Sequence, residues 1–355
     1  MTSIWKRAAV ARIAVTPQQQ LPIVGPCSRT VPGFDLWDFW PLQQPDGQVA
    51  MIDGGELWFS LSAPAEGAPV LRHGRARLRL LRRAGGNWHD LGNALPDGLS
   101  PGSREWSGSA ILDPRQGYVN LYFTAAGRRG EAQPTYRQRI FETRGLLAPN
   151  GRITGWSLPD EAVVADGGDY VVTDQADGMI GTIKAFRDPS WFRDPADGSE
   201  YLLFSASLAQ SVSAFNGAVG IAGRTAGAWC LRPPLIHADD LNNELERPHI
   251  VVRDGCYYLF WSTQASVFAP DLVAPTGLYG MVSDTLRGNY RPLNGSGLVA
   301  ANPGATPSQA YSWLVLPNLK VSSFVDQIAP GRAGFGGCFA PEFQLRLKGD
   351  RSWIV

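Results

Sequence analysis

Charge of one sign is missing from this 355-residue chain: 32 Lys and Arg are balanced by 32 Asp and Glu, so the formal net charge is zero. No global field draws in nucleic acid or an anionic membrane surface, and neither is expected as a partner. Long apolar runs are also missing, and nothing approaches the roughly 20 residues of a membrane-spanning helix. The four cysteines, Cys27, Cys230, Cys256 and Cys338, lie far apart and make no Cys-x-x-Cys pair. Their spacing suggests neither a zinc site nor a disulfide framework, and ordinary buried thiols are expected. The four histidines (His73, His89, His237, His249) are scattered. No Ser-His-Asp spacing and no phosphate-cradling glycine loop competes for the chemistry. Helical periodicity is weak everywhere, and any helix near the N-terminus is expected to be short.

What is present points to β-structure. The chain carries 40 Gly, 27 Pro, 12 Trp, 10 Tyr and 15 Phe, a composition rich in turn and stacking residues. Four short aromatic stretches resemble one another: "ELWFSLS" (56–62), "NLYFTA" (120–125), "YLLFSAS" (201–207) and "YYLFWST" (257–263). Three follow turn signals, at Asp53-Gly54-Gly55, Asp197-Gly198 and Asp254-Gly255, so they read as equivalent strands. Their irregular spacing excludes a solenoid but suits sheets of about four strands arranged radially with loops of variable length, a β-propeller of few blades. Turn-separated strands alone are equally compatible with a β-sandwich. No domain boundary stands out, and strand patterns resume after each loop-like segment. In "RHGRARLRLLRR" (72–83), Arg75, Arg77 and Arg79 alternate with apolar residues, the period of a strand with one solvated face.

Carboxylates gather beside aromatics in three places. "FRDPSWFRDPADG" (186–198) contains Phe-Arg-Asp-Pro twice. The second copy is explained as a turn leading into "YLLFSAS". The first ends an apolar stretch, "MIGTIKAFRDPSWF", that delivers Arg187 and Asp188 to a strand end just before Pro189 terminates the pairing, a placement that faces a cleft. "DLWDFWPLQ" (35–43) sets Asp38 among Trp37, Phe39 and Trp40, as a sugar site does when indole faces stack on rings and a carboxylate addresses hydroxyls or the anomeric carbon. "NNELERPHIV" (242–251) offers Glu244 and Glu246 on one side of a strand with Arg247 adjacent. Two such neighbouring like charges push one pKa upward, as a general acid requires.

Taken together and in order, "LWDFWPLQ", "EWSGSA" (105–110), "FRDPSW" and "ELERPH" resemble the motif set of glycoside hydrolase family 68, the levansucrases, inulosucrases and related bacterial β-fructofuranosidases. "GNYRPLNGSGLV" (288–299), "AYSW" (310–313) and "CFAPEFQLRLKGD" (338–350) continue the likeness, which covers the chain from about residue 25 to the end. The resemblance implies an all-β, single-domain, five-bladed β-propeller with a central funnel-shaped active site over 25–355, preceded by an N-terminal extension at 1–24. It implies a retaining, sucrose-cleaving fructosyltransferase that releases glucose and passes the fructosyl unit to water, sucrose or short fructans. High-polymer levan synthesis and a mainly hydrolytic β-fructofuranosidase are the alternatives. By motif, Asp38 would be the nucleophile, Asp188 the transition-state stabiliser and Glu246 the general acid/base. Trp37, Trp106, Ser107, Arg187, Glu244, Arg247 and Tyr311 would line the pocket for the fructosyl unit and its glucosyl neighbour. His249, in "ERPH", reads as a residue that orients its neighbours.

The chain departs from the family pattern at two positions. Eighteen residues after the acid/base the levansucrases usually carry Arg or His, whereas this chain has Gln264. An amide still donates to a sugar hydroxyl but lacks a cationic fork, so a weaker hold on long acceptors is expected. Members with a structural calcium place Asp immediately before the Glu-x-Glu motif, and this chain has Asn243. Calcium prefers several carboxylate oxygens, so no required metal and no cofactor are expected. The resemblance suggests an extracellular or periplasmic protein. The N-terminus "MTSIWKRAAVARIAVTPQQQ" nevertheless shows no clear signal peptide, since Arg12 interrupts the apolar core and no small-residue cleavage site follows, which leaves a cytoplasmic location open.

Overall fold

A computed structural model describes residues 2–173, 183–327 and 334–355. The chain folds as a five-bladed β-propeller, and the described residues contain a single four-residue α-helix, Arg7–Val10. Each blade opens with an inner strand that pairs antiparallel with the strand that follows it. In blade I, Phe34–Gln43 pairs with Gly55–Pro64 and is followed by Arg77–Ala84 and Asn87–Asn93. Blade II runs Arg104–Asp113, Tyr118–Ala126 and Gln138–Leu147, with Asp160–Val163 outermost. Blade III runs Phe186–Arg193, Glu200–Ser207, Gly217–Thr225 and Ala228–His237. Blade IV runs Glu246–Arg253, Cys256–Thr263 and Gly277–Ser283, backed by Leu298–Ala301. Blade V runs Ala310–Val315 and Lys320–Gln327, the latter pairing with both Phe335–Phe339 and Phe343–Lys348. The inner strands of blades I and II also pair in parallel at Leu42–Ala110 and Gln43–Ile111, so these two blades form one continuous sheet.

The four aromatic stretches are the second strands of blades I to IV, as their likeness suggests. Their central rings, Phe59, Phe123, Phe204 and Phe260, are fully buried. The fifth member is "KVSSFVDQ", whose Phe324 is buried between neighbouring aromatics. Serine and valine replace the aromatics that flag the other four, so composition does not mark it. Asp254-Gly255 joins the first two strands of blade IV with both residues at positive φ (50° and 76°), the geometry that matches strand twist in a tight hairpin.

Three expectations need correction. Cys27 and Cys338 form a disulfide, leaving Cys230 and Cys256 as half-buried thiols. The partners lie 311 residues apart, and only closure of the ring brings the segment before blade I beside blade V. The arginine run is not a solvated face. Residues 69–75 form a 3-10 turn, and in the strand that follows Arg79 is buried. It bonds both carboxylate oxygens of Asp90 at 2.8 and 2.7 Å, and its guanidinium lies 3.7 Å from the Phe34 ring centroid. A planar cation can be buried when a bidentate carboxylate and a ring face satisfy it. Finally, Pro189 does not end its strand: pairing resumes at Ser190 and runs to Arg193.

The segment before blade I packs at the outer edge of blade III and against blade IV. Ser3–Ile4 adds a parallel strand to blade III at Ile236 and His237. Trp5 is fully buried against Trp261 and Tyr279 of blade IV, and its indole N–H donates to Ser296 O at 2.9 Å.

Candidate active site

All five inner strands break register at the same level. Pairing slips between Trp37 and Phe39, Trp106 and Gly108, Arg187 and Ser190, Glu246 and His249, and Tyr311 and Leu314. A bulge leaves residues unpaired and re-aims their side chains. Here the slips fall at Asp38, Ser107, Asp188-Pro189, Arg247-Pro248 and Ser312-Trp313, and Asp38, Ser107, Arg187, Asp188, Glu246 and Tyr311 stand at or next to them. The Asp-Pro and Arg-Pro pairs fit such positions because proline has no N–H to leave unpaired. Asp188, Arg247 and Ser312 take positive φ (59°, 49° and 61°), the left-handed region. In blade II a side chain at Gly108 would collide with the Tyr122 carbonyl, 1.9 Å from a Cβ, which explains the glycine of "EWSGSA".

The bulges surround a cavity of about 300 Å³. Ten of the residues selected from sequence line it: Trp37, Asp38, Trp106, Ser107, Arg187, Asp188, Glu244, Glu246, Gln264 and Tyr311. Arg247 does not. Its guanidinium donates to Phe39 O at 2.8 Å and to Ser312 O and Oγ at 3.0 and 2.7 Å, tying blade IV to blades I and V, while its backbone N–H reaches Asp188 Oδ2 at 3.3 Å. A larger cavity of about 910 Å³ lies at the opposite ends of the inner strands, between Gln43–Gln48, Ser190–Asp194 and Leu314–Pro317. Size does not mark the chemistry, since the carboxylates converge in the smaller space.

At its centre Arg187 is buried and contacts three carboxylates. Its Nη2 lies 3.0 Å from Glu246 Oε1 and 3.2 Å from Glu244 Oε2, and Nε lies 3.6 Å from Asp188 Oδ2. Its Nη1 donates to Gln138 Oε1 at 3.3 Å. Burial opposes the Arg187 charge, yet the surrounding carboxylates more than offset this and raise its pKa. Glu244 does not share a strand with Glu246 as the sequence suggested. It lies before the strand that Glu246 opens, and the two meet at one guanidinium nitrogen.

Asp188 is buried, and Ser205 Oγ donates to its Oδ2 at 3.0 Å. Burial pushes its carboxyl up to about 6, with Arg187 pulling the other way. Burial likewise lifts Glu244 well above the usual carboxylate range, and the neighbouring Glu246 and Asp188 charges add to this. Asp38 accepts from the Ser107 hydroxyl, and Glu246 accepts from the Tyr311 phenol. Burial, followed by the Glu246 charge, holds that phenol far above its ordinary pKa, so it remains a donor. His249 is neutral, its pKa lowered to about 4 by burial. Its Nε2 accepts Val315 N–H at 2.9 Å, so Nδ1 carries the proton given to Arg247 O at 2.9 Å, in keeping with an orienting part.

Sequence reasoning did not select the rim beside Asp38. Arg72 and His73, from the 3-10 turn, line the cavity with Tyr136 and Asp326. Arg72 Nη2 lies 3.8 Å from Asp326 Oδ1, and its guanidinium stacks 3.7 Å from the Phe335 ring centroid. Both lay hidden, Arg72 in a run that reads as a solvated strand and Asp326 at the end of the unmarked fifth strand. Residues 179–182 of the apolar stretch before Arg187 lie outside the described residues. Among the described residues, no group of three or more His, Cys, Asp and Glu side chains is arranged to hold a metal ion. No helix among them is long and apolar enough to cross a membrane.

Fold and site together define a five-bladed propeller whose axial pocket concentrates carboxylates around one arginine. The family model for levansucrase/invertase, glycoside hydrolase family 68, matches residues 1–355, and the chain belongs to that family. It is 34% identical to a levansucrase of Rahnella aquatilis, over 90% of this chain and 85% of the relative. It is 33% identical to levansucrase LscA of Pseudomonas savastanoi pv. glycinea, over 99% of this chain and 94% of the relative. An inulosucrase from Halalkalicoccus jeotgali, solved bound to kestose, superposes with a TM-score of 0.93 at 39% identity, covering 100% of this chain and 95% of that one.

Proposed function

We propose that this protein is a retaining fructosyltransferase that cleaves sucrose, releases glucose, and passes the fructosyl unit to water, sucrose or short fructans. The observation that carries the reading is the convergence of Asp38, Asp188 and Glu246 on one small cavity, with Arg187 bonded to Glu246 and beside Asp188. In this reading Asp38 attacks the anomeric carbon of the fructosyl unit. The Ser107 hydroxyl fixes one Asp38 oxygen and so orients the other. Glu246 gives a proton to the departing glucosyl oxygen, oriented by Tyr311 and Arg187 on its two oxygens. Asp188 bonds the ring hydroxyls, and those bonds tighten as positive charge develops on the ring. In the second half Glu246 takes the proton from the incoming water or sugar hydroxyl, and two displacements retain configuration. Trp37 and Trp106 offer ring faces to the sugar, while Glu244 and Arg187 bind its hydroxyls.

The acceptor side supports short products. Gln264 lines the cavity as a neutral amide, which holds an acceptor less firmly than a cationic fork, so hydrolysis and fructo-oligosaccharides outweigh high polymer. A location outside the cytoplasm fits the Cys27–Cys338 bond, since disulfides persist in oxidising compartments. Incubation with sucrose, with glucose and free fructose quantified separately and the products sized, tests the reading. Glucose in excess of fructose with short products is expected, and no glucose release overturns it. Glu246→Gln is expected to keep sucrose affinity and lose turnover by orders of magnitude. Activity equal to the parent would remove Glu246 from its role.

A further inference from the structure

Beside the acidic cluster, and not among the residues that line the cavity, stands a second cation that the mechanism does not use. Lys184 lies three residues before Arg187, and its ammonium is enclosed by oxygens. Ala214 O is at 2.5 Å, Asn216 Oδ1 at 2.6 Å and Asn243 Oδ1 at 2.9 Å. Three contacts use all three donors of an ammonium. The acceptors belong to two connecting loops, the one entering the third strand of blade III and the one entering blade IV. These loops are themselves joined where Gly217 N–H donates to Asn242 O at 2.8 Å. Lys184 therefore pins the seam between blades III and IV.

The seam leads into the site through one amide. Asn243 accepts the ammonium with its oxygen and turns its nitrogen toward Glu244 Oε1 at 3.3 Å and Ile183 O at 3.3 Å. Glu244 then meets Arg187 through its other oxygen at 3.2 Å. The sequence is ammonium, amide, carboxylate, guanidinium, so Glu244 is held between a cation in the pocket and a cation outside its lining. Asn242 fixes the same loop by accepting the Glu244 N–H at 2.8 Å. Of the titratable groups around Glu244, Asp188 and Glu246 are like charges that oppose its ionisation, and Arg187 and Lys184 favour it.

We infer that Lys184 is a positioning residue for sucrose cleavage: through Asn243 it fixes Glu244, and through Glu244 the Arg187 guanidinium that serves Glu246. It touches no substrate, and its effect is carried by geometry and field alone. The inference rests on the functional reading above. The burial that lowers the Lys184 pKa marks the cost of keeping this charge inside the seam.

Lys184→Met, which keeps the stem and removes the charge, tests it on the full chain with sucrose, the parent protein run in parallel. A fall of about tenfold or more in kcat/KM is expected, with KM rising, because a misplaced binding carboxylate and arginine cost both binding and turnover. The acid limb of the kcat/KM profile is expected to move to higher pH, since Glu244 loses a favourable cation. Lys184→Arg, which restores charge in a different shape, is expected to recover the pH limb more fully than the rate. Asn216→Ala loosens the ammonium from the far side of the seam and is expected to reproduce the pH shift in smaller measure, which covers the case that Lys184→Met does not fold. Unchanged kinetics and pH profile in a folded Lys184→Met or Asn216→Ala protein overturn the inference. A parent that releases no glucose overturns the functional reading instead.

Discussion

The first copy of Phe-Arg-Asp-Pro opens the strand Phe186–Arg193 and the second, six residues on, runs off its end; both aspartates are buried, but among different partners. In the first, Arg187 is buried among three carboxylates and Asp188 sits in a bulge at positive φ, its carboxylate raised to about 6 by burial. In the second, Arg193 is exposed and Asp194 caps a turn. Its carboxylate accepts Ala196 N–H at 2.9 Å and the Tyr257 hydroxyl at 2.5 Å, and its backbone closes onto Ser199 and Gly198. The same four residues make a charged centre in one place and a hairpin in the other. The difference comes from the partner strand: the register slips opposite Arg187 but not opposite Arg193, which pairs regularly with Glu200. Local sequence proposes a conformation, and pairing decides which side of the sheet it serves.

Paired substitutions break that comparison most sharply at the aspartates. Asp188→Asn is expected to cut kcat on sucrose by about 10³-fold with a smaller change in KM, since it removes charge that counts mainly in the transition state. Asp194→Asn is expected to leave kcat within about twofold, because the amide oxygen still accepts both turn bonds. Steady-state kinetics on the two variants decide the matter, and comparable losses would erase the functional distinction. Next come the arginines. Arg187→Lys is expected to lose about 10–100-fold in kcat/KM, because a point charge cannot serve Gln138, Glu244, Glu246 and Asp188 together. Arg193→Lys is expected to be close to neutral.

The smaller effect concerns stability. Burial raises the Asp188 pKa in the folded protein, so the folded state binds this proton more tightly than the unfolded chain does. The resulting stabilisation is fully present below the unfolded value near 3.8 and is lost as pH rises through about 6. Asp188→Asn escapes that loss. It is expected to match the parent near pH 4 and to be more stable by about 1–3 kcal/mol near pH 8, read by thermal unfolding across the range. A constant offset between parent and Asp188→Asn at every pH would mean that the carboxylate is not paying for its burial.

Much of the site was legible because its motifs are local: Trp37-Asp38, Trp106-Ser107, Arg187-Asp188 and Glu246 each sit at a bulge formed by neighbouring residues. The propeller was legible from four aromatic strands, while the fifth, around Phe324, lacked the composition that gave the others away. What escaped notice depends on closure of the ring. The Cys27–Cys338 bond joins the segment before blade I to blade V, and the Arg72–Asp326 rim and the Arg247 contacts to Phe39 and Ser312 each join residues from different blades. Nothing in a linear pattern shows them. Glu244 was mis-set for a related reason: strand alternation describes side chains within a pleat, and Glu244 lies two residues before the strand begins.

The docking of residues 3–27 on blades III, IV and V has a consequence for the order in which the molecule can be made. Trp5 packs on Trp261 and Tyr279, Ser3–Ile4 pairs with Ile236 and His237, and Cys27 bonds Cys338. A ribosome delivers the N-terminal members of these pairs first and their partners more than two hundred residues later. Residues 3–27 must wait, unburied, until those partners have been made. Cystine formation then cannot precede the synthesis of blade V, and it records that a given molecule has completed its circle.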